Sequence, residues 1–297
     1  MRKHPVLSGV VILLAIVVVF YLFFYKAGSD SGKVKRFSVG NQIGVVSING
    51  PIYDSMKIRE HLEDFGRDGS ITAVILRVDS PGGGVAASQE IFDAVVELKK
   101  QKKVVASLGS IAASGGYLVA CSADQIVANP GTITGSISAI MQFANIEELL
   151  NKIGLKSSVV KSGRYKDIGS PLRDMTPEEK KIIQELVDDI YNQFVDVVVK
   201  ERNMPREKVL EIADGRIFSG RRALELGLVD HLGDIVYAAK LATELAGKKG
   251  RYDLVYPRKK RESVFDYLLE SAASVLSDSF QERMETVSGV SYLYYPY

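Results

Sequence analysis

The sequence predicts an α/β fold with a largely parallel sheet behind a membrane-spanning segment, and three observations predict it. Short β-branched apolar runs at residues 43–48, 71–78, 104–108, 125–128 and 158–160 read as strands, each closed by Gly, Pro or Ser. Helical patterns lie between several of them, which is the alternation of a parallel sheet with crossover helices. Before all of these, residues 6–25 run 20 positions without a charge, and at ~1.5 Å per residue they span ~30 Å, the thickness of a bilayer core.

The apolar span reads as an anchor. A cleaved leader has an apolar core of only ~7–15 residues followed by a small-residue cleavage site, and residues 21–26 offer no such site. Charge does not orient the span, because Arg2 and Lys3 precede it while Lys26, Lys33, Lys35 and Arg36 follow it. Three regions result: anchor and linker at 1–36, one folded domain at 37–256, and a tail at 257–297 with a basic connector and an amphipathic repeat.

Composition narrows the function classes. With 46% hydrophobic and 25% charged residues among 297, the chain has the balance of an ordinary globular protein. Net charge is +2 and no aromatic-basic interleaving occurs, so no nucleic-acid partner is expected. One cysteine, Cys121, and three dispersed histidines give no metal-ligand spacing, so no metal is expected, and Cys121 reads as a buried hydrophobe.

Helix punctuation is clear in three places. Residues 85–100 place Ile91, Val95 and Leu98 on one face and lysines in the last turn. Thr176, Pro177 and Glu179 form a capping box with Pro at the first helical position, followed by a wide stripe through Ile182, Leu186, Ile190 and Phe194. That stripe needs cover from the same chain or from a neighbouring subunit. A shorter helix follows Ser219 and stops at Gly227. Residues 251–257 read as a strand.

Chemistry concentrates at two glycine clusters. The run VVASLGSIAASGGYLVACSAD reads as strand, tight turn and helix beginning near Ser114. A serine at such a junction exposes its oxygen where the helix dipole favours a developing anion, although a serine there can equally be an N-cap. DSPGGGV (79–85) sits after another strand and before another helix, which directs backbone N–H groups to the same sheet edge. A phosphate cradle would need GxxxxGK[ST] or GxGxxG, and neither occurs. His231 is the one histidine placed to serve Ser114 as a triad base, yet Ala112 replaces the first glycine of the GxSxG elbow and His231 also reads as a loop residue.

Five motifs in order, RVDSPGGG, GSIAASGGYLVACSAD, TITGSIS, KSGRYKDIGSPLRDMTPEE and GRIFSGRRALELGLVDHLGD, resemble the bacterial signal peptide peptidase A family, in its short single-domain form. The resemblance covers residues 43–233. It implies a ClpP/crotonase-like fold of repeated ββα units and a serine peptidase with a Ser-Lys dyad. Ser114 is then the nucleophile, Lys166 the general base, Gly83 and Gly115 the oxyanion-hole donors, and Ser136 the hydroxyl that orients the lysine. Asp79 stands where many members have Asn, which leaves the backbone role of the glycines intact. A lysine base must be neutral, so its pKa has to fall from ~10.4 toward ~7–8, equivalent to roughly 3–5 kcal/mol of destabilised ammonium.

The resemblance further implies a single-pass protein of the bacterial inner membrane, with the domain extracytoplasmic and acting on remnant signal peptides and other hydrophobic peptides without a cofactor. A bowl-shaped homo-oligomer, in which neighbouring subunits complete each site, also follows from it. Apart from the resemblance, the tail reads as lying on the membrane surface, packing on a partner subunit or staying mobile, and one hypothesis has its aromatic end SYLYYPY enter an active site of its own assembly as a pseudo-substrate. Two alternatives stand beside this expectation: an acyl-CoA enzyme of crotonase type, separable by covalent labelling of Ser114, and a scaffold that has lost activity.

Overall fold

Strands with apolar side chains on both faces need cover on both sides, and that requirement sets the architecture. The computed structural model describes residues 41–257 and 291–293. In chain order the first elements are β1 (Asn41–Asn49), α1 (Met56–Arg67), β2 (Ile71–Ser80), β3 (Gly82–Gly84), α2 (Val85–Lys99), β4 (Lys103–Ala113), α3 (Gly115–Cys121), β5 (Gln125–Ala128) and β6 (Ile133–Gly135). Then come α4 (Glu147–Lys152), α5 (Pro177–Glu201), α6 (Arg206–Leu210), β7 (Ile217–Ser219), α7 (Gly220–Glu225), β8 (His231–Leu232), α8 (Ile235–Leu245), β9 (Tyr252–Val255) and β10 (Ser291–Leu293).

Eight strands form one sheet in the order β7-β6-β4-β2-β1-β9, with β5 paired to both β4 and β8. Every pair in it is parallel except β6 with β7, in agreement with the largely parallel sheet expected. Odd-numbered residues Ile43, Val45, Ala73, Ile75 and Val105 pack beneath Ala238, Ala239 and Ala242 of α8. Their even-numbered neighbours, among them Val46, Val74, Leu76 and Val104, face α1, α2, α3 and α5 through Leu62, Ile91, Leu118 and Phe194. Two apolar layers therefore sandwich the sheet.

The expected ββα unit is explicit once, as β2-β3-α2. In the next unit β4 runs on as one long strand, pairing with β5 through residues 105–107 and with β6 through residues 111–113. Between these halves its register against β2 slips, because Val78 faces Leu108 whereas Ser80 faces Ala112. Asp79 fills the slip, its Oδ1 accepting the Ile111 N–H at 3.1 Å.

One predicted strand is absent. Val159 and Val160 are β-branched, but residues 158–160 pair with no strand among the described residues, and Val160 is 100% exposed. They belong to an arm after β6 whose apolar side chains, including Phe143, Leu149, Ile153 and Leu155, face outward. The stripe of α5 divides likewise: Phe194, Val195 and Val198 are buried, whereas Ile182 and Leu186 are exposed. The apolar span at 6–25 and the amphipathic repeat of the tail lie outside the described residues. Among the described residues no helix is long and apolar enough to cross a membrane.

Candidate active site

Ser114 follows the last residue of β4 and precedes the first of α3, and its backbone is left-handed, with φ 54° and ψ −121°. A non-glycine residue held in this way costs on the order of 1–3 kcal/mol, so the surrounding structure has to enforce it. The Ser114 N–H donates to the Gly135 carbonyl at 2.8 Å, and the Leu118 N–H closes the first helical turn on the Ser114 carbonyl at 2.9 Å. At the N-cap position its hydroxyl makes no capping hydrogen bond. The capping alternative fails for that reason, and the hydroxyl is left for other use.

α3 is anchored from behind. Tyr117 is fully buried and its hydroxyl donates to the Leu228 carbonyl at 2.8 Å. Arg202, at the end of α5, forms a two-point pair with Asp230 at 2.5 and 3.1 Å, and Asp230 also accepts the Ile126 N–H at 2.7 Å. Cys121 lies beside this cluster, where burial pushes its thiol up to about 12, as suits the small hydrophobe expected there.

Ser136 sits one strand away. Ala113 and Gly135 are register partners on β4 and β6, so the serines that follow them are separated by about one strand spacing, ~4.8 Å. Ser136 is also left-handed, at φ 52°, and only Asn203 shares this property among the described non-glycine residues. Two of the site residues implied by the resemblance are thus strained neighbours.

β3 supplies the second glycine cluster. Ile52 bridges to Gly83, with the Ile52 N–H donating to the Gly82 carbonyl and the Gly84 N–H donating to the Ile52 carbonyl, both at 2.8 Å. Because peptide groups alternate along a strand, Gly83 turns its own N–H and C=O to the other edge. A Cβ on Gly83 would stand 2.1 Å from the Ile52 oxygen, so only glycine fits there. On the free edge β10 pairs antiparallel, placing Tyr292 opposite Gly83, and it lies against α2 and α3. Gly115, as the first residue of α3, has an N–H without an intrahelical partner. An extended chain therefore already runs along the edge where these amides face outward.

Lys166 is not brought into this group. It lies exposed on the loop between α4 and α5, with its N–H on the Gly163 carbonyl at 3.1 Å, and among the described residues it makes no hydrogen bond to Ser114. His231 is spent elsewhere, its Nε2 3.0 Å from Gln125 Oε1 and its Nδ1 3.3 Å from the Tyr237 hydroxyl. No base for Ser114 comes from it.

Sequence reading passed over three parts of the site: the β4 slip held by Asp79, the strand formed by the three glycines of β3, and its bridge to Ile52. None has a local signature. A run of three glycines has no strand preference of its own, and the partners of Asp79 and of β3 are distant in sequence.

A left-handed serine with an uncapped hydroxyl, set beside a glycine strand with outward amides, lies on a mixed α/β sheet of largely parallel strands, and residues 38–133 match the Clp protease family model. The chain belongs to Peptidase family S49, whose model matches residues 96–249. A protein of Synechocystis sp. provisionally named a protease is 53% identical over 175 residues, covering 59% of this chain and 63% of that protein. An Enterococcus faecium protein provisionally named signal peptide peptidase SppA is 38% identical over 216 residues, covering 70% and 62%. Protease 4 of Haemophilus influenzae is 32% identical over 233 residues, covering 73% and 37%. The chain thus spans less than two thirds of the length of these relatives.

Proposed function

We propose that the chain is a membrane-anchored serine endopeptidase that cleaves hydrophobic peptides, chiefly remnant signal peptides, through an acyl-enzyme on Ser114. Ser114 Oγ attacks the peptide carbonyl carbon while its proton passes to Lys166 Nζ. The resulting oxyanion is received by the N–H groups of Gly83 and Gly115. The lysine ammonium protonates the leaving amine, and water then hydrolyses the ester by the same proton route in reverse. Ser136 orients the lysine. No cofactor enters any step.

The observation that carries this reading is the strained Ser114, whose hydroxyl is uncapped, at the edge where β3 turns the Gly83 amide outward. Substrate on this reading adds to β3 as an antiparallel strand, the mode in which β10 lies there. The tail then acts as a pseudo-substrate that competes for the edge. Residues 6–25 hold the protein in the inner membrane with the domain outside the cytoplasm. A homo-oligomer fits the outward apolar side chains of the arm and the exposed first half of the α5 stripe.

The test is cleavage of a synthetic signal peptide by the full chain in detergent, beside Ser114→Ala and Lys166→Ala. Loss of cleavage in both variants is expected. Retained cleavage in Ser114→Ala removes the nucleophile, and retained cleavage in Lys166→Ala removes the dyad.

A further inference from the structure

The guanidinium of Arg173 binds two carboxylates at once, one on the loop that bears Lys166 and one on α5. Arg173 Nε donates to Asp167 Oδ2 at 2.9 Å, and its Nη2 lies 2.9 Å from Asp167 Oδ1. On its other side Nη1 and Nη2 donate to Glu179 Oε2 and Oε1 at 2.8 and 2.6 Å. The Asp174 carbonyl takes a further Nη1 hydrogen at 3.0 Å. All three nitrogens are engaged, in the planar fork that only arginine offers.

Each partner has a fixed place. Glu179 is 3% exposed, and its Oε2 also accepts the Thr176 N–H at 2.9 Å, while Thr176 Oγ1 accepts the Glu179 N–H at 3.2 Å. That reciprocal pair is the capping box of α5, and α5 packs on α3, whose first residue follows Ser114. Asp167 is the immediate neighbour of Lys166. The chain of contacts therefore runs from α5 through Glu179, Arg173 and Asp167 to Lys166.

We infer that Arg173 is a positioning residue for Lys166, fixing the loop to α5 and keeping the Asp167 carboxylate occupied. This rests on the proposed role of Lys166 as the base. The charged groups around Lys166 are Lys161, Arg164, Asp167 and Arg173 on its own loop and Glu178 and Glu179 on the first turn of α5. Glu178 is taken by Arg164 at 2.5 Å and by the Tyr165 hydroxyl, and Asp167 by Arg173 and Lys161. Without Arg173, Asp167 keeps only Lys161, on Oδ1, and its Oδ2 is released to pair with the Lys166 ammonium. Such pairing favours the charged lysine, the form that cannot accept a proton.

The experiment measures pH–rate profiles of full-length Arg173→Met, Arg173→Lys and Arg173→Met/Asp167→Asn beside wild type and Lys166→Ala, with melting curves for each. Arg173→Met is expected to lower kcat about 10²-fold, the cost of misplacing a reacting group by about 1 Å, with KM nearly constant. Its ascending limb moves to higher pH, and Asp167→Asn in the same chain returns the limb toward wild type without restoring kcat. Arg173→Lys, which keeps the charge but not the fork, is expected to lower kcat with the limb in place. A merely structural arginine would lower the melting temperature and leave the limb where it was. A folded Arg173→Met with wild-type kcat and limb overturns the inference, and so does a folded Arg173→Lys with wild-type kcat if Arg173→Met does not fold. If Lys166→Ala retains activity, the base assignment itself fails, a different result from an inactive Lys166→Ala beside an unaffected Arg173→Met.

Discussion

Replacing Gly83 with Ala tests the oxyanion edge most directly. The new Cβ would lie 2.1 Å from the Ile52 oxygen and 2.6 Å from its nitrogen, whereas ordinary contact begins at 3.4 Å, so β3 must retreat by 3.4 − 2.1 = 1.3 Å along that direction. A displacement of about 1 Å costs on the order of 10²-fold in rate, and full loss of one oxyanion donor costs about 10²–10³-fold, or ~2.7–4 kcal/mol. The two Ile52 hydrogen bonds to Gly82 and Gly84 weaken together, at ~1 kcal/mol each. Gly84→Ala is the control, because its Cβ would meet nothing closer than 3.6 Å and its φ of −58° suits alanine. The assay is kcat/KM on a signal-peptide substrate, with urea unfolding of each variant. Gly83→Ala is expected to lose about 10²–10³-fold in kcat/KM and up to about 2 kcal/mol of stability, with Gly84→Ala close to wild type. A folded Gly83→Ala with unchanged kcat, or a Gly84→Ala equally impaired, refutes the placement of the Gly83 amide.

Three further outcomes follow from the same contacts. Asp230→Ala strands Arg202, whose side chain is 9% exposed, and should lower unfolding stability by about 3–5 kcal/mol in urea titration. The Arg173 pair and the capping bond hold the Glu179 carboxyl down to about 2, against an ordinary 4.5, so its stabilising effect is complete above that ordinary value and is lost as pH falls toward 2. Melting temperature should therefore drop more steeply in wild type than in Glu179→Gln between about pH 5 and pH 2, and parallel curves would count against the pairing. Truncation after Pro257 removes β10 and should lower KM for added peptide; an unchanged KM would mean that the tail does not compete.

How much of this was legible in the sequence depended on whether a feature had a local cause. Strands 43–48, 71–78 and 125–128, the helix from Val85 and the Thr176 capping box were readable because side-chain alternation and caps act over a few residues, and all recur in the structure. The strand expected at 104–108 extends to Ala113, since the slip opposite Asp79 lets β4 serve two partners in turn. Residues 158–160 have the composition of a strand but pair with none among the described residues, so composition alone misled. Ser114 and the glycine cluster at 79–85 stood out by their strand-to-helix junctions, whereas Ser136, Gly83 and Gly115 were given individual roles through a family resemblance. Their left-handed turns and outward amides come from contacts between β3, β4, β6 and Ile52, segments far apart in the chain.

One chain fixes only part of the proposed machinery. Ser114, Gly83 and Gly115 are held by the sheet edge and by α3, whereas Lys166 rides on an exposed loop that Arg173 ties to α5. A lysine accepts a proton only when neutral, and neutrality near pH 7 demands burial away from water and cations, which an exposed loop does not provide. Another surface has to bring that burial, and the arm preceding the loop presents Phe143, Leu149, Ile153 and Leu155 to solvent, an apolar set suited to a second copy of the chain. Specific activity should then fall as the detergent-solubilised protein is diluted until light scattering reports monomers, and should return on concentration. Equal activity per chain in monomer and assembly would mean that substrate alone covers the lysine, and the outward arm would need a different explanation.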